Sequence, residues 1–467
     1  MTSDLNRLTA SAAAALLRSG DISSMALVAA ALQRADQTAD LNAFITLDHD
    51  GAIAAAARAD AGPGSGALHG VPVVIKDNMH VAGLPCTAGT PALRDFVPTI
   101  NAPVVQRLVD AGAIVIGKTN MHELAFGVSG YNEGFHGARI GVRNPIDPAR
   151  ICGGSSSGTA AAIAAGVVAA GLGTDTGASV RLPAAYTNGA ALRPTVHRYS
   201  QVGVCPISHT RDTPGPMART VGDVALLHSV IGGRPVAKAC APKGLRLGVH
   251  RRWFFAGLDA DTAEVTAAAL DRLRAAGMEI IEVDMPDLGA LEAQVSFPVA
   301  VVEAHDDLVR YLREWSTGVS IEQVVAQIAS ADVRAIYETM VLPVQLLGAA
   351  GMQDARPAYR HALAVARPAL RKLYADTFSG NRIDALIFPT APVVAIPQGP
   401  AASSAEAMGR MIQNTGPGSN AGIPGLSVPA GFGRSGLPIG LEIDGPDDSD
   451  DHLLAIGLAM EQIFTPG

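Results

Sequence analysis

The sequence predicts an α/β fold, a single compact domain in which a mixed β-sheet core is covered by helices. Three observations predict it. Short β-branched runs alternate with stretches of helical periodicity. Runs of the same kind return near the end of the chain, beyond a long helical region, and no Pro/Gly/Ser-rich linker or internal repeat divides the 467 residues.

Residues 1–60 carry apolar residues at helical spacing, with Ser23 and Ser24 as caps, and predict an N-terminal helical layer. The texture then changes. "VPVVI" (71–75) and "AIVIG" (113–117) predict strands flanking a helix in "APVVQRLVDAG" (102–112). Later strands are expected at "RLGVH" (246–250), "ALIFP" (385–389) and "LSVPAG" (426–431). Between them, about 261–374 reads as a mostly helical insertion across one sheet, so the single domain spans 1–467.

With 48% hydrophobic and 17% charged residues the chain can bury a sizeable core, which excludes disorder as its main state. A net charge of -8 without a basic run gives no footprint for a nucleic-acid partner. Asp447, Asp448, Asp450 and Asp451 read as a solvated turn. Cys86, Cys152, Cys205 and Cys240 are widely spaced, which argues against a zinc cage or disulfide framework and for a reducing, cytoplasmic setting. The N-terminus has no basic region followed by an apolar one, so no secretory signal is expected. "TAAAIAAGVVAAGLGT", from Thr159, is too short and too rich in Ala and Gly to span a membrane and reads as a close-packed buried helix.

The chemistry concentrates in "ICGGSSSGTAAAIAAGVVAAGLGTDTGASVRLPAA" (151–185), where two loops, Gly153 to Gly158 and Gly173 to Ser179, flank an Ala-rich helical segment. Small residues let backbones approach each other and expose N–H groups, although a pair of ordinary turns explains them equally well. Phosphate loops of the GxxxxGK[ST] or GxGxxG kind, the GxSxG elbow and an HExxH metal site are all absent, and His122 and Glu123 are adjacent and cannot share one helical face. What remains is serine chemistry without an obvious histidine. A neutral lysine can activate a serine. Lys76 ends an apolar run, where an ammonium must either find partners or give up its proton, the ordinary alternative being a salt-bridged surface lysine.

"HGVPVVIKDN", "GKTNMHELAFG", "GGSSSGTAAAIAAG", "GTDTGASVRLPAA" and "PGSNAGIPGLSVPAG" together resemble the amidase signature family, over about residues 5–465. The resemblance implies that family's fold and a Ser-Ser-Lys triad. Ser179 matches the nucleophile that forms an acyl-enzyme, Ser155 the bridging serine and Lys76 the base. No metal or organic cofactor is implied. The turn before Ser179 can aim the N–H groups of Thr176, Gly177, Ala178 and Ser179 at one point, an oxyanion hole whose single donors are worth about 3 kcal/mol elsewhere. Ala178 replaces a glycine common in the family; a positive φ there would strain the loop by about 1–2 kcal/mol. Ala125, Phe126 and Gly127 match residues lining the acyl pocket. Arg181 matches a carboxylate contact in some members, or holds the loop through Asp175. Ser156 either supports the triad or caps the following helix, and Asn420 either lines the site or shapes a turn.

Within the family, "ARIGVRNPIDPARICGGSSSG" and "LRPTVHRYSQVGVCPISHTRDTPGPMART" resemble indoleacetamide and mandelamide hydrolases. This implies a small, aryl-acetamide-type amide as substrate and partner, hydrolysed to carboxylate and ammonia. Trp253, Phe254, Phe255 and Phe297 are candidates to flank the ring. Two other readings are a glutamine-hydrolysing subunit of a tRNA-dependent amidotransferase and a non-catalytic family member. The sequence does not fix the oligomeric state, a homodimer being one option.

Overall fold

The computed structural model describes residues 5–136, 141–348 and 350–465. Residues 138–140, the start of the stretch tied above to the hydrolase resemblance, lie outside them, as do residues 1–4 of the N-terminal layer and 466–467 of the domain.

The run at 71–75 forms β2 (Pro72–Lys76), buried at all five positions. It is buried on both faces because Val73 and Ile75 enter one core and Val74 the opposite one. β2 pairs in parallel with β3 (Ile114–Thr119) and with β4 (Ala170–Asp175). Parallel neighbours end on the same side of a sheet, so Lys76 and the end of β4 meet at one edge.

The whole sheet has eleven strands in the order β1-β3-β2-β4-β6-β5-β12-β13-β11-β7-β8. The others are β1 (Phe44–Leu47), β5 (Ala190–Arg193), β6 (Thr213–Ala218), β7 (Arg246–Val249), β8 (Glu279–Glu282), β11 (Ala385–Pro389), β12 (Gly425–Phe432) and β13 (Pro438–Asp444). β7 pairs in parallel with β11 and β8, and the centre is antiparallel, so the sheet is mixed. One face is covered by the helices Val221–Gly232 and Asp450–Phe464, through Val224, Leu227, Leu453 and Ile456. The other carries Ser24–Gln37 and the Ala-rich helix Ser157–Ala164. Gly158 lets that helix lie close to the end of β3, since a Cβ there would sit 2.6 Å from the backbone of Asn120. Ser23 caps Ser24–Gln37 by accepting from the Ala26 N–H.

The five strands expected from sequence form within two residues of their anticipated limits, and the helix at 102–112 forms over Pro103–Asp110. Three expectations are corrected. β1 joins the sheet from within the N-terminal layer. The Ala-rich helix stops at Ala164 and the chain re-enters the sheet as β4, so Gly173, Thr174 and Asp175 belong to a strand and not to a loop. Small residues buried on both faces leave no period to read. Within 261–374, β8 forms an edge strand beside β7, and β9 (Gln345–Gly348) and β10 (Gly351–Asp354) make a separate hairpin. The rest of that region is mainly helical, dominated by Leu288–Glu314.

Candidate active site

Lys76 is fully buried at the end of β2. Its Nζ lies 2.7 Å from Ser155 Oγ, 2.8 Å from Thr174 Oγ1 and 3.5 Å from the Thr174 carbonyl. A neutral amine has two protons and one lone pair, which three such neighbours can satisfy with Ser155 as the donor. Burial pushes the ammonium down, and Asp175 and Asp212 oppose this only in part, leaving the pKa at about 7. Asn78 Nδ2 also donates to Thr174 Oγ1, at 3.1 Å, and so fixes the hydroxyl that faces the lysine.

The two serine-bearing segments are tied together, because the Ser156 N–H donates to the Ser179 carbonyl at 3.1 Å. Ser156 Oγ turns away from the pocket, donating to the Thr174 carbonyl and accepting from its N–H. It therefore neither lines the pocket nor caps the helix that follows. Ser179 is 4% exposed and opens onto a pocket of about 100 Å³. Thr176, Gly177 and Ala178 line the same pocket, and the N–H groups of Gly177, Ala178 and Ser179 have no acceptor among the described residues. They are free for an anion.

Ala178 does not have a positive φ, which removes the expected strain. It is fully buried, in the apolar cluster that also holds Leu182, Tyr186 and Met411, so its methyl is a small piece of core.

Arg181 does not reach the pocket. It is fully buried, donates to Asp175 at 3.1 Å through both Nε and Nη2, pairs with Glu442, and donates to Ser419 Oγ at 2.6 Å. Burial by itself would raise the Asp175 carboxyl, but Arg181 and Arg193 outweigh it and hold the pKa at about 2. Arg181 also donates to the Gly177 carbonyl at 3.2 Å, and Asp175 accepts from the Val180 N–H. The pair thus holds the loop from behind, the role first weighed against a substrate contact.

Ala125, Phe126 and Gly127 also line the pocket. Their turn is tied down by Glu123, which accepts from the N–H groups of Ala329 and Ser330, and by His122, 3.0 Å from Asp332. Gly127 has no room for a side chain, since a Cβ would fall 2.1 Å from His122 Nε2.

Phe297 and Asn420 line the pocket. Trp253, Phe254 and Phe255 do not. Phe254 stacks on Phe388 at 4.1 Å in the core, and Trp253 donates to the Gln413 carbonyl. The sequence reading missed Thr174, Ile207, Arg211, Met408 and Ile412. No local pattern separates a loop arginine such as Arg211 from one delivered to a pocket.

The amidase family profile matches residues 26–454. The chain belongs to the amidase family. This amidase is 46% identical to the mandelamide hydrolase of Pseudomonas putida, over 98% of this chain and 92% of that protein. It is 40% identical to the indoleacetamide hydrolase of Rhizobium radiobacter, over 96% and 95%. Among solved structures, the peptide amidase from Stenotrophomonas maltophilia superposes with a TM-score of 0.81 at 29% identity, covering 98% and 97% of the two chains. No helix among the described residues of the amidase is long and apolar enough to cross a membrane.

Proposed function

We propose that this amidase hydrolyses the C–N bond of a small aryl-acetamide-type amide, releasing ammonia and a carboxylate through Lys76, Ser155 and Ser179. The observation that carries this reading is a buried lysine near neutrality in hydrogen-bond contact with Ser155, beside a pocket onto which Ser179 opens. Ser179 Oγ attacks the amide carbonyl as its proton passes to Ser155 and that of Ser155 to Lys76. The negative charge on the carbonyl oxygen is met by the free N–H groups of Gly177, Ala178 and Ser179, with Thr176 in the same turn. Lys76 then returns its proton to Ser155 as Ser155 protonates the leaving nitrogen, ammonia departs, and water attacks the acyl-enzyme, passing its proton along the same relay. No metal or organic cofactor enters these steps.

Phe126, Phe297, Met408 and Ile412 give the pocket an apolar lining suited to an aromatic ring, and the mandelamide and indoleacetamide hydrolases support the aryl-acetamide class. Widely spaced cysteines support a cytoplasmic setting.

The test is ammonia release from indole-3-acetamide, mandelamide, benzamide, propionamide, malonamate and glutamine, with Ser179→Ala as control. Turnover of the aryl amides, lost in Ser179→Ala with the fold retained, is the expected result. Turnover confined to glutamine would move the chain to the amidotransferase reading. Comparable activity in Ser179→Ala would remove Ser179 as the nucleophile.

A further inference from the structure

A cavity of about 600 Å³ lies where β4 begins, whereas Lys76 lies where β4 ends, about 16 Å of strand away. Three arginines line it. Arg7 precedes the helix Ala10–Ser19, Arg34 belongs to Ser24–Gln37, and Arg219 follows β6. Asn6, Gln33 and Gln37 add three side-chain amides, and among the described residues no Asp or Glu lines the cavity.

The arginines are held in place yet keep donors open. Arg34 Nε donates to the Ala165 carbonyl at 2.7 Å, and Arg219 donates to the Val168 carbonyl at 3.1 Å through Nη1 and to the Leu8 carbonyl through Nη2. Both Nη atoms of Arg34, Nε of Arg219 and the whole Arg7 guanidinium have no acceptor among the described residues, and none of the three arginines pairs with a carboxylate there. Neighbouring carboxylates are committed elsewhere. Asp223, which acts on Arg219 through its charge, accepts from the N–H groups of Ala10 and Ser11 at 2.7 and 3.0 Å, and Asp36 lies 3.4 Å from His49. The helix end in the cavity wall also has acceptors taken, since the Gly166 and Val167 N–H groups donate to the Ile163 and Ala162 carbonyls and Arg34 occupies that of Ala165.

Burial disfavours the charge on Arg219, and three guanidinium groups share one concavity. An anion with several acceptor oxygens relieves both costs. A phosphoryl group can meet two guanidinium forks at once, which a single carboxylate does less well. The cavity has more room than a bare phosphate ion needs, and the three amides can bond hydroxyl groups on an attached organic part. A long polyanion is disfavoured, because the chain as a whole carries a net charge of -8.

We propose that this cavity binds the phosphate monoester of a small polar metabolite, with Arg7, Arg34 and Arg219 donating to the phosphoryl oxygens. The ligand then clasps the N-terminal layer to the start of β4, and its binding is independent of the reaction at Ser179.

The test is isothermal titration calorimetry and thermal melting of the full chain with AMP, ribose 5-phosphate, inorganic phosphate and ribose, at one ionic strength set with NaCl. The two esters should bind and raise the melting temperature, and ribose should do neither. Arg34→Gln and Arg7→Gln should each weaken ester binding by about tenfold or more, with the unliganded melt still cooperative. Ester affinity untouched by both substitutions would place the anion elsewhere and overturns the proposal, as does the absence of binding by either ester. Inorganic phosphate binding as tightly as the esters overturns the monoester and reduces the cavity to a site for the free ion.

Discussion

In the proposed relay Lys76 serves as the base only when neutral, so kcat/KM should rise as pH passes through about 7 and level off above it. Stability follows from the same shift. An unfolded lysine keeps its proton to about pH 10.4, whereas folded Lys76 releases it near 7, so between these values the unfolded state binds more protons and stability rises with pH. Lys76→Met lacks this titration. Urea unfolding of parent and variant at pH 7 and 9.5 should show the parent gaining relative to Lys76→Met at the higher pH; a difference independent of pH would mean an ordinary lysine. Ala178 gives the opposite lesson, since its backbone is unstrained and its methyl is packed. Ala178→Gly should therefore cost about 1 kcal/mol of stability and leave kcat no higher. A higher kcat would reinstate a strained loop.

The turn before Ser179 is shaped by the buried ion pairs behind it, Arg181 with Asp175 and Glu442, and Arg193 with Asp175. Arg181→Met would strand buried carboxylates, at a cost of about 3–5 kcal/mol. Arg181→Lys keeps the charge but lacks the planar fork that reaches Asp175, Glu442, Ser419 and the Gly177 carbonyl at once. A lower melting temperature and a lower kcat are expected for Arg181→Lys, with KM less affected, because the N–H groups proposed to meet the developing charge lose their support. Unchanged kinetics would show that the turn holds itself. Short β-branched strands were legible at this scale because their signal is local. β4 was not, since Gly, Ala and Leu buried on both faces carry no alternation.

In the whole molecule, the centre of the sheet is completed last. β12 and β13, from the final 43 residues of the 467-residue chain counting from Gly425, lie between β5 and β11. A chain ended at residue 424 would leave both neighbours with unpaired edges in the middle of the core. It should show no cooperative thermal transition by circular dichroism, whereas a cooperative melt would mean that the earlier strands form an independent unit.

The sequence by itself determined the family, the α/β class and the five strands anticipated near 71–75, 113–117, 246–250, 385–389 and 426–431, because each is written in a contiguous motif or a local period. Only the tertiary structure decided that Arg211, Phe297, Met408 and Asn420 share a pocket while Trp253 and Phe254 stay outside it, and that Arg181 supports the loop from behind. Those outcomes depend on which distant segments the strand order and the long helix bring together. A side chain's neighbourhood is set by contacts hundreds of residues apart, and no window of the sequence contains both partners.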